Sequence, residues 1–353
     1  MIDIKSQIIK PSLNLEDLRV VASAEGWGLT DLRSLHFFLN RNFKYRRKIT
    51  ITEQSGSDLT DYQVLIELNS SNFNFEHAQT NGEDIRFTDA NGNLLDYWIE
   101  EWDAVNEIAK VWVKVPSIPA NSSVEIFMYY GNPSAVSESD GENTFMIYDD
   151  FDDSSLGPDW TFVNPDGNQG VSESDSSVTL ICDDAEESNL GTSTENQDAP
   201  RIIQNISGDF LIDAKVELNL AGPNAQVKGV GILVWQDSQN FFRYMREIVE
   251  GSNKVRLFEN KNDNTTQFES YCGSKPTYLR VTKIGNEFKF YFSDDYSSWT
   301  FLTNRTFSMG SISVGLVVAY SYPASYSCSA DWFRARKYTE PEPSVSMGGE
   351  ESA

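Results

Sequence analysis

A set of aromatic and arginine side chains in the second half of this chain has the chemistry to hold a sugar. Trp235, Phe241, Tyr244 and Arg246 fall on or beside one predicted hairpin, and Tyr271, Tyr320 and Tyr322 can join them on a concave face. Aromatic rings stack on the C–H faces of sugars while polar neighbours fix orientation. The competing reading is that half of any strand's aromatics face the core, and Trp299 is read as such a core residue. In the first half, Asp96, Glu100, Glu101 and Asp103 surround Trp98 and Trp102. Carboxylates so placed could bind a cation or act as acid and base. A charged strand edge that discourages aggregation is the preferred reading. His36 and His77 are the only histidines, and neither lies beyond residue 146, so Ser-His-Asp catalysis is not expected there.

The elements that must position these residues are strands. Residues 1–42 read as a helical arm: Asn14 and Thr30 are N-cap residues, each followed by acids in the first turn and apolar residues at helical spacing. From Phe43 the period becomes two. Val64, Ile66 and Leu68 alternate with Gln63 and Glu67, and Val111, Val113 and Val115 alternate with Trp112 and Lys114. DANGN at 89–93 is a turn between two such strands. An acidic stretch, YDDFDDSSLGPDW, marks a border near residue 148. Beyond it Phe210, Ile212, Ala214, Val216 and Leu218 repeat the alternation, and GSISVGLVVAY at 310–320 has the continuous apolar character of a central strand covered on both faces. The expected organisation is all-β: a helical N-terminal arm (1–42), two antiparallel β-sandwich domains (43–145 and 146–338), and a flexible acidic tail (339–353) whose prolines and glycines break strands.

Charge and cysteine content narrow the partners. Lys and Arg number 28 against 53 Asp and Glu, a net charge of −25. No basic stripe is present to replace phosphate counterions, so a nucleic-acid partner and direct binding to anionic lipid are not expected. Cys182, Cys272 and Cys328 are too widely spaced for a metal knuckle, although one pair could bridge. No apolar run is long enough to span a membrane, and MIDIKSQIIKPSLNLEDL lacks the apolar stretch of a secretory signal. Sequons stand at Asn69, Asn121, Asn205, Asn264 and Asn304.

Residues 43–145 resemble the domain of unknown function 2341 family, through YRRKITI, DYQVLI, NGEDIRFTDANG, DYWIEEWD, VWVKVPSIPA and YYGNPSAVSESDGENTF. That family occurs in archaeal and bacterial envelope proteins without an established enzymatic activity, so the resemblance implies an adhesive or structural module. Residues 146–338 resemble a concanavalin A-like lectin/glucanase sandwich, a jelly roll of the domain of unknown function 1349 type. The phrases that carry this are GDFLIDAKVEL, GVGILVWQDSQNFFRYM, YLRVTKIGNEFKFYFSDDYSSWTFL, ISVGLVVAY and ADWFRARKY.

The glucanases of that architecture set E-x-D-x-x-E on one strand so that alternate carboxylates enter the cleft. Nothing between 146 and 338 has that spacing, and Glu247 and Glu250 sit three apart, on opposite faces of an extended strand. The chain is therefore expected not to be an enzyme. Asp331 matches the last-strand acid that holds a structural calcium in family-16 glucanases, with Asp149, Asp150 and Asp152 as its neighbours if the sandwich closes end to end. A solvated acid, or a partner for Arg334 or Arg336, is the alternative. Together these features lead to the expectation of a surface-displayed structural or adhesion protein. The favoured form is a tail-fibre, spike or capsid-associated protein on the virion surface of an archaeal or bacterial virus. Its lectin-like domain would bind host surface glycans, and residues 1–42 would anchor it to the particle and support homo-oligomers. The alternatives are an extracellular or cell-envelope adhesin and a weak glycoside hydrolase.

Overall fold

The computed structural model describes residues 42–165, 167, 169–182, 189–192, 197–218, 227–273, 277–320 and 326–352. The expected helical arm lies outside the described residues, apart from Asn42. Among the described residues no helix is long and apolar enough to cross a membrane. The chain forms two compact units, and the second is an insertion in the first. One unit runs to Thr144 and resumes at Pro341; the other is Phe145–Glu340.

The first unit holds β1 (Tyr45–Thr52), β2 (Leu59–Asn69), β3 (Arg86–Asp89), β4 (Leu94–Leu95), β5 (Tyr97–Asp103), β6 (Ile108–Ile118) and β7 (Ser123–Tyr130). The inserted unit holds β8 (Ile147–Asp149), β9 (Thr161–Val163), β10 (Gly170–Ser174), β11 (Ser177–Cys182), β12 (Arg201–Ile206), β13 (Phe210–Leu218), β14 (Val227–Asp237) and β15 (Asn240–Val249). It continues with β16 (Ser252–Lys261), β17 (Asn264–Tyr271), β18 (Thr277–Ile284), β19 (Glu287–Ser293), β20 (Thr300–Thr306), β21 (Ile312–Tyr320) and β22 (Tyr326–Lys337). Then β23 (Ser344–Ser352) returns to the first unit.

In the first unit a five-stranded sheet, β23-β1-β7-β3-β4, and a three-stranded sheet, β2-β6-β5, share one core. Ile49 and Ile51, Val64 and Ile66, Val111 and Val113, and Ile126 and Met128 fill it from alternate positions. The DANGN turn forms as expected: the Asp89 carboxylate accepts from the backbone N–H of Asn91 (2.8 Å) and Asn93 (2.9 Å), and Gly92 takes φ +85°.

The tail is not flexible. Residues Ser344–Ser352 pair antiparallel with Tyr45–Thr52 and supply the edge of the five-stranded sheet. An edge strand is held by its backbone ladder and needs few apolar residues, which hides it from a hydrophobicity reading. Val345 and Met347 pack on the core, the Arg46 Nε donates to the Glu351 carboxylate at 2.7 Å, and Glu350 accepts from the Tyr130 hydroxyl at 2.6 Å.

The inserted unit is a two-sheet sandwich. One sheet runs β10-β11-β22-β13-β18-β19-β20 with β8 also on β22; the other runs β17-β16-β15-β14-β21-β12-β9. The opening strand does lie beside the last one, Asp149 opposite Phe333. Between the sheets pack Phe242, Tyr244, Leu257, Phe288, Phe290, Val314, Leu316 and Phe333. As its apolar run implied, β21 is an interior strand, between β14 and β12. No disulfide joins Cys182, Cys272 and Cys328.

Candidate functional site

The residues with the most chemistry lie on the outward face of the seven-stranded sheet. Residues directly opposite across antiparallel strands point to the same side, so the pairing fixes four cross-strand rows. The first row is Ala319, Gly229, Glu247, Lys254 and Tyr271. The second is Arg201, Val317, Gly231, Met245, Arg256 and Glu269. The third is Ile203, Gly315, Leu233, Arg243, Phe258 and Gln267, and the fourth is Asn205, Ser313, Trp235, Phe241, Asn260 and Thr265.

Glycines let the strand backbones approach closely on this face. A Cβ at Gly231 would fall 2.0 Å from the Tyr244 carbonyl oxygen, and one at Gly315 would fall 1.9 Å from that of Ile202. Backbones crowd on this side as on the inside of a bend, where strand glycines are expected. The middle of the face is covered: Leu190 and Ala199 join Leu233, Phe241, Met245, Phe258, Val317 and Ala319 in a second buried cluster. Arg243 donates to the Asn189 side chain from beneath that cover and stacks on Phe258 at 4.9 Å.

Toward the edge strand β17 the face opens and becomes ionic. Glu247 is buried and Tyr271 is 73% exposed. Between them Arg256 reaches Glu247 at 3.3 Å and Glu269 at 3.1 Å, and Lys254 binds Glu269 at 2.5 Å while its ammonium lies 5.4 Å from the Tyr271 ring. Burial pushes the Glu247 carboxyl above the ordinary carboxylate range, against the pull of Arg243 and Arg256. The Lys254 hydrogen bond holds Glu269 below it. Two carboxylates of opposite tendency thus share one guanidinium.

Of the expected sugar contacts, Trp235 and Phe241 share a row, their rings stacked at 5.3 Å, but Phe241 is wholly buried under the cover. Tyr271 stands on the same face at the open edge. Tyr244 and Arg246 do not join them. They occupy the opposite face of β15, Tyr244 packing on Phe290 at 5.3 Å and Arg246 donating to Asn253 Oδ1 at 2.7 Å and Thr277 Oγ1 at 3.1 Å. The correction follows from the period-two geometry of a strand: residues 241, 243, 245 and 247 share one face, and 244 and 246 the other. The Tyr320 side chain and Tyr322 lie outside the described residues. Lys254, Arg256 and Glu269 were not anticipated, and Glu247 was weighed only with Glu250 on its own strand. Their signal was the alternation of Lys254 with Arg256 and of Glu269 with Tyr271, which gains meaning only once the two strands are paired.

Trp299 is not a core residue. It sits half-buried on the outward face of the other sheet, with the Arg280 guanidinium 3.8 Å above its ring. Arg280 also grips the buried Asp213 through two bonds of 2.7 and 2.8 Å, and the Tyr296 hydroxyl donates to the same carboxylate at 2.9 Å.

The acids expected to hold calcium have protein partners. Asp331 pairs with Lys215. Asp149 accepts from Phe151 N at 2.8 Å and Trp160 Nε1 at 2.7 Å, and burial raises its pKa. Asp150 accepts from the Tyr148 hydroxyl at 3.0 Å, and its charge raises the pKa of Asp152. Among the described residues no group of three or more His, Cys, Asp or Glu side chains is arranged to hold a metal ion.

Comparison with known proteins bears on fold and family. The chain is 28% identical over 146 residues to an uncharacterized protein of Methanocaldococcus jannaschii, which covers 37% of this chain and 25% of that protein. The chain thus spans about a quarter of that relative's length. Among solved structures it is similar to a GH43 protein from Bacillus licheniformis (17% identity, TM-score 0.47, 74% of this chain and 56% of that one). It is also similar to a xylan beta-1,4-xylosidase from Bacillus halodurans (13%, 0.47, 71% and 52%) and a legume lectin-like domain from Entamoeba histolytica (7%, 0.38, 51% and 91%).

The expectation that the chain is not an enzyme does not stand, because it was drawn from the spacing of carboxylates along one strand. The physical flaw in that expectation was its reliance on one strand. The E-x-D-x-x-E spacing tests only carboxylates on a single strand, whereas here Glu247 and Glu269 reach one arginine from β15 and β17. Residues 81–163 match the model of the Domain of unknown function (DUF2341) and residues 170–337 that of the Protein of unknown function (DUF1349), in the order expected from the sequence motifs.

Proposed function

We propose that the inserted unit is a glycan-binding head of the concanavalin A-like type, carried by the first sandwich and directed at surface glycans. The observation that carries this reading is the open edge of the seven-stranded sheet. There an exposed tyrosine ring stands in one row with Lys254 and Glu247, beside Arg256 and Glu269. A ring free on one side stacks on a sugar's C–H face, and charged groups already held by one another present fixed donors and acceptors to its hydroxyls. The test is a glycan array probed with the full chain and with Tyr271→Ala and Glu269→Gln. Loss of the bound set in both variants, with melting unchanged, supports the reading; an array bound equally by all three overturns it.

A second reading is favoured by one observation, the pair of carboxylates on Arg256. An acid with a raised pKa facing a carboxylate with a lowered one is the arrangement that glycoside hydrolysis uses. Glu247 would serve as proton donor and Glu269 as the ionised partner. Release of reducing sugar from array-positive oligosaccharides, abolished in Glu247→Gln, supports hydrolysis; intact oligosaccharide after prolonged incubation refutes it.

A further inference from the structure

Arg201 opens β12 on the outward face of the seven-stranded sheet, directly between Val163 of β9 and Val317 of β21. It is 7% exposed. Its guanidinium lies over the Trp235 ring at 4.7 Å, and Phe241 stacks on that ring at 5.3 Å. One terminal nitrogen donates to the Ala199 carbonyl at 2.9 Å, and Nε has no partner.

Among the described residues no carboxylate stands against Arg201. Arg46, Arg86, Arg280 and Arg305 behave differently: each meets an acid, Glu351, Glu138, Asp213 and Glu259 respectively. Burial with nothing to offset it draws the Arg201 pKa down to about 10. A cation withdrawn from water without a counter-charge is unfavourable unless something anionic reaches it.

We propose that Arg201 is the anchor of an anion subsite, and that the anion is the carboxylate or sulfate group of an acidic sugar. The identification of the carrier as a sugar rests on the glycan-binding reading above; the need for an anion rests on Arg201 itself. The planar guanidinium offers its free Nε and the adjacent terminal nitrogen as a fork, which fits a carboxylate or sulfate in two-point contact. Trp235 fixes the plane of that fork by stacking beneath it.

The test is isothermal titration of the full chain, at constant ionic strength, with sodium glucuronate, glucose and sodium sulfate. The same titrations are run on Arg201→Gln, Arg201→Lys and Tyr271→Ala, each confirmed folded by its melting curve. The expected result is binding of glucuronate but not of glucose, weakened at least tenfold in Arg201→Gln and partly kept in Arg201→Lys, which retains charge without the fork. Glucuronate binding that ignores Arg201→Gln overturns the subsite, as does no binding to the unaltered chain. Sulfate bound as tightly as glucuronate overturns the assignment to a sugar. Tyr271→Ala separates the two readings: array binding that depends on Tyr271 but not on Arg201 sinks only the anion subsite. Glucuronate binding that depends on Arg201, with an array indifferent to Tyr271, sinks only the edge site.

Discussion

Replacing Asp213 by Asn or Ala removes the negative centre of the network on the eight-stranded sheet, and its consequences can be worked out in advance. The carboxylate is 2% exposed and receives a two-point grip from Arg280 and a hydroxyl from Tyr296. Breaking a buried pair by removing one member costs about 3–5 kcal/mol, because the remaining charge is left without compensation. For a unit of this size, each kcal/mol shifts the melting temperature by about 2–4 °C, so a loss of roughly 10 °C is expected. The effect carries a pH signature. Burial tends to raise the Asp213 pKa, but the charges of Arg280 and Arg334 and the bonds from Arg280 and Tyr296 outweigh it and hold the group below its ordinary value. The stabilisation is therefore complete above the unfolded-state pKa, near ~3.9, and disappears as pH falls through the still lower folded value. Melting followed by circular dichroism between neutral pH and about pH 3 should show the gap between the native chain and Asp213→Asn closing at the acid end. A variant that melts within about 2 °C of the native chain at neutral pH would refute the reasoning. A double replacement, Asp213→Leu with Arg280→Met, should recover much of the loss, since an apolar pair of similar volume does not leave a lone charge.

Three further outcomes are expected. Gly315→Ala should cost about 1–3 kcal/mol in urea unfolding, because its Cβ would overlap the Ile202 carbonyl of the neighbouring strand. Removing residues 341–353 should lower the melting temperature of the first unit and cause concentration-dependent self-association by light scattering, since it bares the β1 edge. Glu350 is pulled up by burial but held low overall by Tyr130 and His77, so the hold on β23 should weaken as pH falls through the Glu350 pKa, read as faster amide exchange along Tyr45–Thr52.

The strand content of both sandwiches was legible in sequence because each face-alternating run, such as Phe210 to Leu218 or Val111 to Val115, spans enough residues for its period to be unambiguous. The central position of β21 was legible for the complementary reason, a run apolar on both faces. The return of β23 was not. Its sequence, SVSMGGEES, buries no residue fully, and its pairing energy lies in backbone bonds that composition does not encode. The candidate site was half legible. Trp235, Phe241 and Tyr271 do share one face of the sheet, while Tyr244 and Arg246 were grouped with them by proximity along the chain where parity decides direction. Trp299 was misjudged because a tryptophan covered by a guanidinium looks, in sequence, like one covered by a core.

The sequence by itself determined what each strand would bury, since alternation of apolar and polar residues is a local property of the chain. It also carried the two family matches and the acidic balance. Only the tertiary structure decided which distant residues meet: β1 with β23 across the whole inserted unit, Glu247 with Glu269 on Arg256, and Arg201 with no acid among the described residues. Those outcomes depend on strand order and register. Register is set by the summed packing of all the rows at once, so no single segment contains it.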